Sequence, residues 1–279
     1  MRIANVEGRL CLLTDDGAVD VHEASDGRFD ADPQAVYGRW DEFLEWTSAA
    51  TPAAARPFRE DQLGAPVPRP TQVLAIGLNY HDHAAESGLA APTSAPPVFT
   101  KYPSCITGPF GDVTVPPEGH TDWEVELVVV IGRRAFAVAE ADAWRVVAGL
   151  TVGQDLSERI LQLASTPPQF SLGKSLPGFG PIGPCLVTVD EFDNPDDVEL
   201  TCSVNGQEVQ KGHTRDLIFG VPALIAYLSR VMPLLPGDII FTGTPAGVGM
   251  GRNPQVFLKP GDELVTSIER IGEMRHRMV

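Results

Sequence analysis

The sequence predicts an α+β fold dominated by β structure, on three observations. Short runs rich in β-branched residues and bounded by Gly, Pro and Asp recur along most of the chain: QVLAIGL, ELVVVIG, CLVTV, VELTCSVNG, DIIFTG and ELVTSIE. Helical periodicity is confined to a few places, HDHAAESG, AEADAWRVVAG, LSERILQLA and IFGVPALIAYLSRV. Strands and helices do not alternate strictly, which argues against a doubly wound parallel sheet.

The first 45 residues carry short alternating stretches (RIANV, RLCLL, GAVDV) and a helix-like patch from Trp40 to Trp46. From Ser48 the composition changes, with Pro52, Pro57, Pro66, Pro68 and Pro70 in close succession. Proline lacks the amide donor and restricts its neighbour, so this stretch is expected to be an extended connector outside the core. The expected division is a small N-terminal β-rich domain with its connector over residues 1–70, and a larger domain over 71–279.

With 43% hydrophobic and 21% charged residues, the 279-residue chain can bury a sizeable core. The formal net charge of −16 repels phosphate backbones and anionic lipid, so nucleic acid and membrane surfaces are poor partners. It also repels small anionic substrates unless a cation reverses the sign locally, and a divalent metal does so directly. Cys11, Cys105, Cys185 and Cys202 are scattered without a CxxC pair, giving no disulfide framework and no zinc knuckle. Cys185 reads as a small buried hydrophobe. Asn5, Glu7 and Arg9 interrupt the first residues, which do not resemble a signal peptide. The longest apolar run, after Glu126, is too short to span a bilayer, so a cytoplasmic enzyme is expected.

The chemistry begins at DWEVELVVVIG. Side chains alternate along a strand, so Glu124 and Glu126 point the same way, about 7 Å apart. Two carboxylates that close repel, and burial without compensation is costly; a hard cation resolves the conflict. Two solvated glutamates at a strand entrance are the plainer reading, and the apolar run that follows weighs against it. In VGQDLSERILQLA, Asp155, Arg159 and Gln162 fall at i, i+4 and i+7 as a polar stripe, beside an apolar stripe of Leu156, Ile160 and Leu163. Asp155 with Glu158 also matches a capping box, and one residue can serve both purposes. Three carboxylates without a Cys or His cluster suit Mg²⁺ or Mn²⁺, with Ca²⁺ a further option. In HDHAAE, the trio His81, His83 and Glu86 raises zinc or iron as a rival. On a helix, His83 and Glu86 are neighbours while His81 lies on another side, which favours a general-base pair.

Two glycine-rich stretches are discounted. SLGKS ends like a phosphate-binding loop, but the required earlier glycine is Pro168. In FTGTPAGVGMGRNP, Pro245 interrupts and no helical pattern follows, so it does not match the dinucleotide fingerprint. A loop offering amides and the Thr244 hydroxyl to an anionic group, or a purely structural turn, remain as readings.

Seven segments in order, IGLNYHDHAAE, PVFTKYPSCITGP, DWEVELVVVIG, GQDLSERILQ, GKSLPGFGPIGP, VNGQEVQ and LLPGDIIFTGTPAGVG, resemble the fumarylacetoacetate hydrolase family. The resemblance runs from about Val73 to the C-terminus. It implies a mixed β-sandwich or roll around the active site, a small N-terminal β-rich domain and a homodimer. It also implies that Glu124, Glu126 and Asp155 ligate the metal and that His83 with Glu86 activates water. Lys174 would stabilise developing negative charge, Arg159 and Gln162 would contact substrate, and Thr244 would hold a substrate carboxylate.

The function so implied is hydrolytic cleavage of a C–C bond in a small anionic β-diketo acid, through an enolate stabilised at the metal. Decarboxylation of an oxaloacetate-like acid and isomerisation of a 2-hydroxy-dienoate use the same groups and are the alternatives. A non-catalytic carboxylate-binding protein is a third class. The segment ESGLAAPTSAPP after His83 is expected to cover the substrate.

Overall fold

The computed structural model describes residues 1–49, 54–88 and 90–279. Pro52, in the expected connector, and Leu89, in the segment after His83, lie outside the described residues.

Among the described residues, fourteen strands of three residues or more frame the fold. These are β1 (Arg2–Val6), β2 (Arg9–Thr14), β3 (Gly17–Asp20), β4 (Val73–Ile76), β5 (Val98–Thr100), β6 (Phe110–Val113) and β7 (Val125–Ile131). They continue as β8 (Val147–Gln154), β9 (Gly180–Val187), β10 (Glu199–Val204), β11 (Gln207–His213), β12 (Ile239–Phe241), β13 (Glu263–Ile268) and β14 (Gly272–Met278). The larger sheet has the order β3-β2-β1-β9-β8-β7-β12-β4-β5, and a second has the order β11-β10-β13-β14-β6. Most neighbours are antiparallel; β12–β4 and β14–β6 are parallel. The fold is α+β and strand-dominated, as the sequence predicts.

β7 shows why the apolar run is continuous. Its odd positions, Val125, Leu127, Val129 and Ile131, join a core with Leu200, Leu264, Ile268 and Met274 of the second sheet. Its even positions, Val128 and Val130, join a separate core with Phe29, Tyr37, Trp40 and Phe43 of the N-terminal segment. A strand covered on both faces needs apolar residues at every position, and each such buried side chain contributes about 1.5–3 kcal/mol. Helix α1 (Trp40–Ala49) closes one side through Trp40 and Phe43. The longest helix among the described residues, Val221–Val231, has Pro222 in its first turn and buries Val221, Leu224, Ile225 and Leu228, the i, i+3, i+4, i+7 stripe that faces the first core.

The N-terminal strands are part of the larger sheet: β1 pairs with β9, so the hydrogen bonding runs across the expected boundary near residue 70. The connector is also more deeply placed than its prolines suggest. Leu63–Gly64 pairs with β1, and Leu63, Ala65 and Val67 are buried. Proline removes a donor but leaves its neighbours free to pack.

Two helical expectations are corrected. In AEADAWRVVAG only Glu140–Val146 is helical, as a 3₁₀ turn, and the next residues open β8. The β-branched Val146 and Val147 followed by ladder bonding to β7 override the local periodicity. In LSERILQLA, Ser157–Glu158 is a two-residue strand and the helix spans only Arg159–Gln162. Glu158 caps it by accepting from the Ile160 amide, so the capping reading of Asp155 is overturned. Of the expected apolar stripe only Leu156 is buried; Ile160 is 53% and Leu163 51% exposed. All four cysteines are buried free thiols.

Candidate metal centre

The even face of β7 changes character at its N-terminal end. Val130 and Val128 are followed, in reverse order, by Glu126 and then Glu124 just before the strand, all on one face by alternation. Val125 pairs with Gln154 of β8, and the Asp155 amide donates to the Glu124 carbonyl at 2.9 Å. Strand pairing therefore sets Asp155 beside Glu124. One carboxylate oxygen from each of Glu124, Glu126 and Asp155 lies within 4.8 Å of the others, and all three residues are buried.

Loops and short helices bring cations to two of these carboxylates. Lys174, which ends α-helical residues Phe170–Gly173, donates from Nζ to Glu124 Oε2 at 2.6 Å and to Asp155 Oδ2 at 2.7 Å. Lys101, just past β5, donates to Asp155 Oδ1 at 2.6 Å and to the carbonyls of Lys174 and Phe179. Arg159 donates from Nη2 to Glu124 Oε1 at 2.8 Å, from Nε to Asp122 Oδ2 at 2.9 Å, and from Nη1 to Gln162 Oε1 at 2.9 Å.

Glu126 differs. Its hydrogen bond comes from the Gly243 amide at 2.7 Å, and among the described residues no basic side chain bonds it. Gly243 has φ of +102°, and a Cβ there would stand 2.7 Å from Asn79 Cβ, so glycine is what lets this amide reach the carboxylate. Burial, then the Asp155 and Glu124 charges, push the Glu126 carboxyl well above the usual carboxylate range. Burial also pushes Glu124 up, but Lys174, Arg159 and His83 outweigh it and leave its pKa at about 2. Burial lowers Arg159 and Lys174, yet the carboxylates beside them hold both above their ordinary values. Asp122, Glu124, Glu126 and Asp155 thus face three basic residues, one positive charge too few. An all-oxygen trio with a surplus negative charge fits a divalent cation, which the three carboxylates can hold.

The second element is His83, buried on the helix His81–Glu86. Its Nδ1 lies 2.8 Å from Glu86 Oε1, and Glu86 Oε2 accepts from the Gly247 amide at 2.9 Å. Gly247 has φ of +110° and a Cβ there would meet Val209 O at 2.1 Å, so this loop too is built on glycine. His81 is exposed and stands apart from the pair, so the zinc or iron trio is not assembled. Thr244 is buried, its hydroxyl accepting from Gln210 Nε2 at 2.8 Å.

A cavity of about 370 Å³ is lined by His83, Glu124, Glu126, Arg159, Gln162, Lys174 and Thr244. Glu86 and Asp155 stand behind this lining. A larger hollow of about 480 Å³ beside Tyr80, His81 and Asp82 contains none of the seven. Two residues at the site were not singled out from the sequence. Asp122 is fully buried and accepts from Arg159 and from the amides of Trp123, Gly249 and Met250. It precedes Glu124 by two, so the same alternation rule points to it. Lys101 follows the strand-like PVFT, where a lone lysine carries no comparable signal.

The family model described as fumarylacetoacetate (FAA) hydrolase C-terminal matches residues 72–279. The human oxaloacetate tautomerase FAHD2A, mitochondrial, is 41% identical over 248 residues, covering 85% of this chain and 79% of that protein. A solved structure from Mycobacterium smegmatis superposes with a TM-score of 0.95 at 57% identity, covering 100% of this chain and 99% of that one. Maleylpyruvate hydrolase from Sphingobium sp. SYK-6, solved with manganese(II) and pyruvate, superposes with a TM-score of 0.81 at 30% identity, covering 100% and 99%. Among the described residues no helix is long and apolar enough to cross a membrane.

Proposed function

The chain belongs to the fumarylacetoacetate hydrolase family, and from that premise we propose that it is a divalent-metal-dependent hydrolase cleaving a C–C bond in a small β-diketo acid. The observation that carries this reading is His83, held by Glu86, opening onto the same cavity as Glu124 and Glu126. Glu124, Glu126 and Asp155 would hold the ion, Mg²⁺ or Mn²⁺ by donor type with Ca²⁺ a further option, and the manganese complex of a relative supports a divalent metal. When bound, the ion supplies Lewis acidity and a fixed positive charge for the substrate's keto-acid oxygens. A homodimer in the cytoplasm completes the reading.

In this mechanism Glu86 holds Nδ1 of His83 and leaves Nε2 as the basic nitrogen. His83 takes a proton from water, whose oxygen bonds to the distal carbonyl carbon. The C–C bond then breaks, its electron pair passing to the 2-keto fragment as an enolate. Lys174, whose ammonium lines the cavity, faces this negative charge. Return of the proton to carbon gives a 2-keto acid and a carboxylic acid. Thr244 and Gln162, also in the lining, offer uncharged hydrogen bonds that orient the acid.

Incubation with an acylpyruvate and Mn²⁺ in ¹⁸O-water should place ¹⁸O in the released carboxylic acid. His83→Ala should lower this turnover by about 10²–10⁴-fold; full turnover in that variant sinks the assignment. The identity with an oxaloacetate tautomerase favours a second reading, in which His83 only moves a proton between carbon and oxygen. Solvent deuterium entering C3 without any cleavage product would select it.

A further inference from the structure

We propose that the group beyond the two keto functions of the substrate is uncharged and apolar, so that the protein takes monoanionic 2,4-dioxo acids with a hydrocarbon tail and discriminates against diacids. The proposal rests on the hydrolase reading for the 2,4-dioxo head and adds the nature of the tail.

Two lines of observation lead there. The first is that every basic side chain at the cavity already has partners. Arg159 has an oxygen bonded to each of its three guanidinium nitrogens: Asp122, Glu124 and Gln162. Lys174 bridges Glu124 and Asp155, His83 is held by Glu86, and Lys101 is enclosed by Asp155 and two carbonyls. Leaving the His83–Glu86 pair aside, four carboxylates face three basic residues. A divalent ion turns that balance to one positive charge, which one substrate carboxylate neutralises. The charge of a second carboxylate held against the wall of this partly open cavity would then have no counter-charge there, a costly arrangement.

The second line is the rest of the lining. Beyond His83, Glu124, Glu126, Arg159 and Lys174, no charged residue lines the cavity among the described residues. Its apolar wall is Ile76, Leu78, Phe99, Leu163, Phe170 and Met250, and Ser87, Gln162 and Thr244 are the uncharged polar side chains of the lining. The Phe99 and Phe170 rings meet edge to face with centroids 5.5 Å apart, and Lys174 Nζ stands 5.2 Å from the Phe99 centroid. This aromatic pair therefore begins beside the charged groups, where the tail of a bound acid leaves them. Such an apolar wall gains from burying methylenes and offers a second carboxylate no charge.

The test uses the full chain with Mn²⁺ and two ligands of matched length, 2,4-dioxooctanoate and 2,4-dioxooctanedioate, which differ by a terminal methyl against a carboxylate. Calorimetric titration of His83→Ala protein keeps the ligands intact, and if that variant does not fold, initial-rate competition in the unmodified protein compares the two acids by kcat/KM, with the same direction expected. The monoacid should bind at least about tenfold more tightly. Equal or tighter binding of the diacid overturns the proposal. Leu163→Lys, at a half-exposed position that tolerates charge, should shift the ratio toward the diacid by about tenfold; an unchanged ratio in this variant also overturns it. If no ¹⁸O enters product from any 2,4-dioxo acid, the hydrolase reading falls while the binding ratio still decides the tail.

Discussion

The two ends of β7 use one backbone geometry for opposite purposes. At Val128 and Val130 the even face is dry, packed against Phe241, Ala148 and the N-terminal aromatic residues. Two residues further back the same face carries Glu126, then Glu124, in a setting as buried as the valines. The valine end is held by packing, which is tolerant and nondirectional. The glutamate end is held by hydrogen-bonded charges that must be matched individually, and Glu126 is not matched by any basic side chain among the described residues. A sheet can thus place a reactive group with the precision of its core while leaving the group itself electrostatically dissatisfied.

Substitutions can sharpen or break this comparison. The largest stability loss is expected for Glu124→Gln, which strands Lys174 and Arg159 as buried cations with a partner missing. Denaturant titration should show a loss of about 3–5 kcal/mol; a loss under about 1 kcal/mol would mean the two cations find water instead. Next comes Val128→Ala, at about 2 kcal/mol with metal affinity unchanged, because only the packed end is affected. The smallest change has the opposite sign. Glu126→Gln removes a carboxyl whose ionised form its burial and neighbours oppose and keeps an acceptor for the Gly243 amide, so the metal-free protein should gain about 1 kcal/mol while metal affinity falls. A metal-free Glu126→Gln protein less stable than the original would erase the distinction between the two glutamates.

The residues also divide by how visible they were in the sequence. Glu124 and Glu126 followed from alternation alone, since both lie on one short segment. The place of Asp155 depends on the pairing of Val125 with Gln154, a contact between segments some thirty positions apart, whereas local pattern offers a helical stripe with Arg159 and Gln162 and a helix cap. The cap belongs to Glu158, because β8 continues to Gln154 and delays the helix. Arg159 and Gln162 share a face and bond each other; of the stripe beside them only Leu156 packs into the core, while Ile160 and Leu163 are half exposed. Lys101 was illegible because its partners, Asp155 and the carbonyls of Lys174 and Phe179, all come from distant parts of the chain. Sheet-forming runs were legible where both faces are buried, and least so at 140–154, where a 3₁₀ turn merges into a strand.

The glycine loop has a consequence for observation. Four of its amides end on three carboxylates of the site: Gly243 on Glu126, Gly247 on Glu86, and Gly249 and Met250 both on Asp122. An amide proton shift follows the charge on its acceptor. In an amide correlation spectrum these four signals would report separately on the ion site, the base and the guanidinium anchor, giving the loop a distinct resonance for each event in the site.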